Sequence, residues 1–168
     1  MPRLSAGILP YRRSGDRIEV LLVHPGGPFW ARKDLGVWSV AKGEYQAPES
    51  PLNAAIREFT EETGHTPVGP FRQLARIRQP GGKVLDVWMT QDDWDASEFA
   101  SNTFSMEWPK GSGKMQAFPE VDKVEWLDIP VAIKKILPGQ LGFLHELHQV
   151  LTGEPICGRC PTHAPPLF

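Results

Sequence analysis

The chemistry this chain can do is concentrated in residues set at fixed intervals: Gly43, Glu49, Arg57, Glu58, Phe59, Glu61, Glu62 and Gly64. On a helix each residue advances by about 100°, so Glu58, Glu61 and Glu62 project from one arc of its surface. Like charges on one helix face destabilise it, and crowding raises their pKa values. A hard divalent cation removes that penalty. With oxygen ligands only, and no His or Cys among them, magnesium or manganese fits better than zinc. Magnesium keeps water and phosphate oxygens beside a few carboxylates, so phosphate chemistry is its natural companion. The plain alternative is a solvated acidic helix face. It accounts for Glu61 or Glu62 taken singly, but not for the joint spacing with Glu49, Arg57 and two glycines.

Arg57 carries a planar fork suited to a carboxylate, and its expected partner is Glu49, just ahead of the helix. Such a pair would pin the loop that Gly43 begins, where backbone must pass close to a metal. Ser50 is a good N-cap, Pro51 suits the first helical position and Gly64 can stop the helix, so Ser50 to Thr63 is predicted helical. Leu52, Ala55, Ile56, Phe59 and Thr63 recur at spacings of three and four and are predicted buried. The carboxylates are predicted to lie on the opposite, exposed face.

This segment resembles the signature of the Nudix hydrolase family, G-x5-E-x7-R-E-U-x-E-E-x-G-U, where U is a bulky apolar residue. Residues Gly43 to His65 match it except at the end, where His65 replaces an aliphatic. Ala41, ahead of Lys42-Gly43, stands where many members carry proline. The resemblance implies an α/β fold, the Nudix-type α/β/α sandwich with a mixed β-sheet. It also implies a MutT-like pyrophosphohydrolase that splits a nucleoside diphosphate linked to another group X, with Mg²⁺ or Mn²⁺ as cofactor. Carried over by position, Glu58 and Glu62 are the principal metal ligands, Glu61 a bridging or water-mediated one, and the Lys42 carbonyl a backbone ligand. Members often use one more carboxylate from a loop after the sheet. Here Glu120 stands at that spacing, to bind an additional metal, to act as general base, or simply to make a turn. Glu125 is the poorer choice, since strand alternation can point it outward. The catalytic set implied is therefore Glu49, Arg57, Glu58, Glu61 and Glu120. The run Trp38-Ser39-Val40-Ala41-Lys42-Gly43-Glu44 resembles the diadenosine-polyphosphate branch and its bacterial relatives. Those substrates come first among those implied, then nucleoside triphosphates, then nucleotide sugars or ADP-ribose. The rival is a non-catalytic module of the same fold that binds a nucleotide or a protein, which would have no need of three crowded carboxylates.

The elements that must position these groups are legible as apolar runs between turns. Strands are predicted at Ser5 to Tyr11, Arg17 to His24, Val37 to Ala41, Phe71 to Arg78, Lys83 to Met89 and Lys123 to Leu127. Closing helices are predicted at Pro130 to Ile136 and Gln140 to Leu151, the latter with a stripe of Leu141, Leu144, Leu147 and Leu151. Asp92 to Pro119 reads as one long ordered loop over the site. With 168 residues the chain suits one domain, 1–152, followed by an extended tail, 153–168. In that tail Cys157, Cys160 and His163 have a metal-like rhythm but too few ligands for a structural zinc site, and a spectator role is expected.

The net charge of −2 gives no general attraction for a nucleic-acid duplex, so phosphate affinity must be local to a small-molecule nucleotide site. No apolar run is long enough to span a membrane, and the first residues do not read as a secretory signal; a cytoplasmic protein is expected. Lys42, Lys110 and Lys114 could approach substrate phosphates. Phe29, Trp30, Trp38, Phe104 and Trp108 offer planes for a base, with Trp30 and Trp108 the chosen pair because they fall in loops; packing is the commoner use of such rings.

Overall fold

The computed structural model describes residues 3–156. Cys157, Cys160 and His163 lie outside the described residues. The chain starts with a hairpin, β1 (Leu4–Ser14) and β2 (Arg17–Pro25), both largely buried. A short β3 (Ala41–Glu44) leads to helix α1 (Pro51–Thr63). Two two-residue strands, β4 (Arg72–Gln73) and β5 (Ile77–Arg78), precede the long β6 (Val84–Gln91). Then come a separate hairpin, β7 (Thr103–Glu107) and β8 (Met115–Pro119), and the last sheet strand, β9 (Val121–Asp128). Helices α2 (Ile129–Lys135) and α3 (Leu141–Thr152) close the described part.

The main sheet has the order β4-β6-β1-β2-β9, with β3 also pairing β1 and β5 also pairing β6. Its β1–β6 pair is parallel and the other pairs are antiparallel, so the sheet is mixed. Alternate residues feed two cores. On one face Leu9, Val20, Leu22, Leu85 and Val87 pack with Phe143, Leu144 and Leu147 of α3 and with Ala132 of α2. On the other, Ala6, Ile8, Leu21, Val23 and Trp88 pack with Ala54, Ala55 and Phe59 of α1. The result is an α/β/α sandwich. Among the described residues no helix is long and apolar enough to cross a membrane.

Three expectations need correction. Val37 to Ala41 is not a continuous strand: Trp38 and Ser39 make isolated bridges to Ile136 and Val23, and the strand proper starts at Ala41. The bonds at Trp38 and Ser39 go to different neighbours, so no ladder can run through them. Phe71 to Arg78 is broken into β4 and β5, because Leu74 turns into the core and Arg76 leaves the ladder for a two-pronged bond with Asp86 at 2.9 Å. Asp92 to Pro119 is not one loop, since it contains the β7–β8 hairpin. The tail begins with a left-handed Gly153, and Ile156 returns to the core.

Candidate active site

Helix α1 starts and stops as its sequence dictates. The Ser50 hydroxyl accepts from the Asn53 N–H, Pro51 fills the first position, and Gly64 takes a left-handed conformation (φ 78°) to close the last turn. Phe59 and Thr63 are fully buried against the sheet. The acidic arc is less open than the helix periodicity suggests, because β3 crosses over it. Only 15% of the Glu58 side-chain surface is exposed, and Glu62 is half-buried. The expectation that these carboxylates face open solvent is therefore wrong. The gap that admits them is a glycine: a Cβ at Gly43 would stand 2.0 Å from Glu58 Cδ and Oε1. Gly7 on β1 plays the complementary part, since a Cβ there would meet the Ala41 carbonyl at 2.6 Å and hold β3 away.

Arg57 ties the acids together. Its Nε and Nη2 donate to the two oxygens of Glu49 at 2.8 and 2.9 Å. Its Nη1 donates to Glu58 Oε2 at 2.7 Å and to Glu61 Oε2 at 3.1 Å. One guanidinium thus fixes the loop carboxylate and orients Glu58, whose other oxygen lies over Gly43. The Glu49 carboxyl is held below its ordinary range by the Arg57 hydrogen bonds. Glu58 moves the other way, raised chiefly by burial and further by Glu61 and Glu120, with Arg57 opposing. Glu62 is pushed up to about 8, mainly by burial; the Lys42 ammonium opposes this, while Glu58 and Glu120 add to it. The Lys42 ammonium is itself lowered, again first by burial.

The structure therefore brings Lys42, Glu49, Arg57, Glu58, Glu61, Glu62 and Glu120 into one electrostatic cluster. Glu120 reaches it from the turn between β8 and β9, is exposed, and acts on both Glu58 and Glu62. Glu125 is exposed on β9, as strand alternation suggested. Among the described residues no three His, Cys, Asp or Glu side chains form a ready-made metal cage. The donor chemistry still fits a hard cation: the carboxylates are crowded and partly buried, and one oxygen of Glu58 is left free over a glycine.

Lys110 and Lys114 do not join the cluster. They are exposed at the tip of the β7–β8 hairpin, where Trp108 is half-buried. The plane of Trp30 is attended by its own neighbour, Lys33, whose Nζ stands 5.2 Å from the ring centroid. Trp108 is met by Phe29, edge to face at 5.5 Å. The ring that meets Trp108 is thus Phe29, not Trp30. Trp38 is a core residue, with its Nε1 donating to Asp34.

A mixed sheet sandwiched between helices, with an acidic helix seated on a glycine-bearing strand, defines the class. Within it, residues 1–147 match the NUDIX domain, and the chain belongs to the Nudix family. Members of this family generally use divalent metal ions. The 8-oxo-(d)GTP phosphatase of Mycolicibacterium smegmatis is 30% identical over 122 residues, which is 71% of this chain and 30% of that protein. The chain thus spans about 30% of the length of this relative. Among solved structures, the NUDIX domain of Shewanella oneidensis NrtR complexed with ADP ribose aligns with a TM-score of 0.62 at 18% identity, covering 90% of each chain. A C. elegans Ap4A hydrolase binary complex aligns with a TM-score of 0.59 at 22% identity, covering 89% of this chain and 99% of that one. These two likenesses establish the fold.

Proposed function

We propose that this protein is a magnesium-dependent pyrophosphohydrolase, with manganese able to substitute, acting on a small nucleotide in which a nucleoside diphosphate is linked to X. The observation that carries the reading is the seating of Glu58 against Gly43, half-buried and clamped by Arg57, with the half-buried Glu62 beside it and Lys42. Buried like charges are costly unless a counter-ion joins them. Glu58, Glu62 and the Lys42 carbonyl are the proposed direct ligands, with Glu61 acting through water. Bound there, the cation would neutralise charge on the phosphate oxygens and acidify a water.

The protein's own groups then do the rest. Arg57 fixes the Glu58 carboxylate through Oε2 and leaves Oε1 for the ligand role. The Lys42 ammonium offers a point charge to a phosphate. Glu120 takes the proton from the attacking water as its oxygen bonds to phosphorus. The P–O bond to the leaving phosphate breaks on the opposite side, and that phosphate departs with its electron pair. The work is assigned to the cytoplasm, in keeping with the sequence.

Similarity to an 8-oxo-(d)GTP phosphatase supports putting nucleoside triphosphates, oxidised ones included, ahead of the diadenosine polyphosphates that the sequence alone ranked first. The test is a panel of nucleoside triphosphates, 8-oxo-dGTP, diadenosine tetraphosphate, ADP-ribose and nucleotide sugars, with and without magnesium. Cation-dependent release of a mononucleotide from one class is the expected result. Binding without turnover of any of them would favour the non-catalytic module instead.

A further inference from the structure

The β7–β8 hairpin belongs to neither core. It forms its own two-stranded sheet, and such ribbons are marginal alone. Two sets of contacts hold it. At its root, the Asn102 N–H donates to the Glu61 carbonyl (3.0 Å), the Glu120 N–H to the Asn102 carbonyl (2.8 Å), and the Gly26 N–H to the Glu120 carbonyl (2.9 Å). The arm therefore rises directly from the acidic helix. At its tip the loop is prefolded: the Glu107 carboxylate accepts from the Gly111 and Gly113 N–H groups, each at 2.9 Å, and the Trp108 N–H donates to the Lys114 carbonyl.

This ordering presents Trp108 toward Phe29, which comes from the Gly26–Gly27 turn and is 57% exposed. Phe29 lies three residues beyond Gly26, whose N–H bonds the Glu120 carbonyl, so it stands within roughly 14 Å of the Glu120 backbone. That is the reach of a nucleoside whose phosphates lie against the acidic helix. Lys110 and Lys114 are exposed in the same tip, and the Lys114 carbonyl accepts from the Trp108 N–H. An exposed Phe29 ring with the half-buried Trp108 against it, and exposed lysines in the same hairpin tip, suits a base joined to phosphates. A large exposed ring otherwise carries a solvation cost with no return in core packing.

We infer that Phe29 and Trp108 form the nucleobase subsite, with the hairpin as one jaw and the loop after β2 as the other. The ligand is a nucleoside polyphosphate, held by its base at the ring pair. This inference rests on the pyrophosphohydrolase reading for the position of the phosphates but not for the binding of the base.

The experiment compares affinity for a non-hydrolysable nucleoside triphosphate with that for inorganic tripolyphosphate, on the full chain with magnesium. The variants are Phe29→Ala, Trp108→Ala and the plane-preserving Phe29→Tyr. Each alanine variant should weaken nucleotide binding on the order of ten-fold, leave tripolyphosphate binding within about two-fold, and raise KM with little change in kcat. Phe29→Tyr should restore the nucleotide affinity, which separates loss of the plane from loss of the fold. Equal losses for both ligands, or none for either, overturn the proposal. A change of oligomeric state on Phe29→Ala with nucleotide affinity intact would also overturn it, reassigning the patch to self-association. Loss of nucleotide affinity in a protein that hydrolyses nothing would leave the base subsite standing and sink the hydrolase reading instead.

Discussion

Replacing Gly43 by alanine is the most direct test of the site, because it adds one methyl group where the structure leaves no room. The new Cβ would lie 2.0 Å from Glu58 Cδ and Oε1 and 2.6 Å from Cγ. Comfortable carbon contacts are about 3.5 Å or more, so the carboxylate must withdraw by roughly 1.5 Å. It can do so cheaply, since it is the far end of a flexible side chain. The backbone also tolerates the change, for Gly43 is not among the residues with positive φ. Stability should therefore move little, with about 0.4–1 kcal/mol of gain from a stiffer unfolded chain offsetting the displaced Glu58–Arg57 contact. Catalysis has no such freedom. A misplacement of about 1 Å in a reacting constellation can cost on the order of 100-fold, or about 2.7 kcal/mol of barrier. The assay is kcat/KM for magnesium-dependent nucleotide hydrolysis, read beside a thermal melt. Gly139→Ala serves as control, since its Cβ would come no closer than 3.8 Å to any neighbour. A Gly43→Ala enzyme within three-fold of the parent would refute the claim that Glu58 works from that gap.

Four further outcomes follow from the same geometry. Glu58→Gln and Glu62→Gln should each lower kcat by orders of magnitude with the fold intact, as circular dichroism and activity together would show. For the metal-free protein, the Glu62 carboxyl sits near 8 when folded, above its ordinary value. Its contribution to stability is thus full below about pH 4.5 and is lost as pH rises through 8; melting at pH 5 and pH 8.5 should show a fall that Glu62→Gln abolishes. Arg57→Lys cannot reproduce the bidentate bond to Glu49 or reach Glu58 at the same time, so activity should drop at least ten-fold while the melting temperature shifts by only a few degrees. Gln140→Ala leaves the buried Val40 N–H without its acceptor at 2.9 Å; a loss of about 1–3 kcal/mol should appear in denaturant unfolding, with the metal site unaffected.

What the sequence revealed and what it hid have separate physical causes. The α1 boundaries and the Arg57–Glu49 pair were legible because both are local: a cap, a proline, a glycine stop and a guanidinium eight residues from a carboxylate all lie within one short stretch of sequence. The burial of Glu58 and Glu62 was not, because it comes from β3 crossing the helix, and helix periodicity carries no term for a strand that the chain laid down earlier. The same limit applies to Lys42. Its place among Glu62, Glu58 and Glu44 depends on the β1–β3 register, which sets Gly7 opposite Lys42.

The hairpin shows a different failure. Thr103-Phe104-Ser105-Met106-Glu107 alternates with period two, and Gly111-Ser112-Gly113 is a turn signal, so its two strands could have been found. Their alternation is too weak to stand out from loop, with neither face given over to the core: Phe104 and Met106 are only half-buried. A strand that packs against nothing large carries a faint hydrophobic signature, and that faintness is informative. Stability alone would select a stronger apolar face or delete the arm. An arm with an ordered tip, rooted through Asn102 on the Glu61 carbonyl, is instead shaped by what its outer surface must meet. The core-facing runs of this chain therefore report its fold. Its weakest pattern, between Ser101 and Glu120, is where substrate choice is best sought.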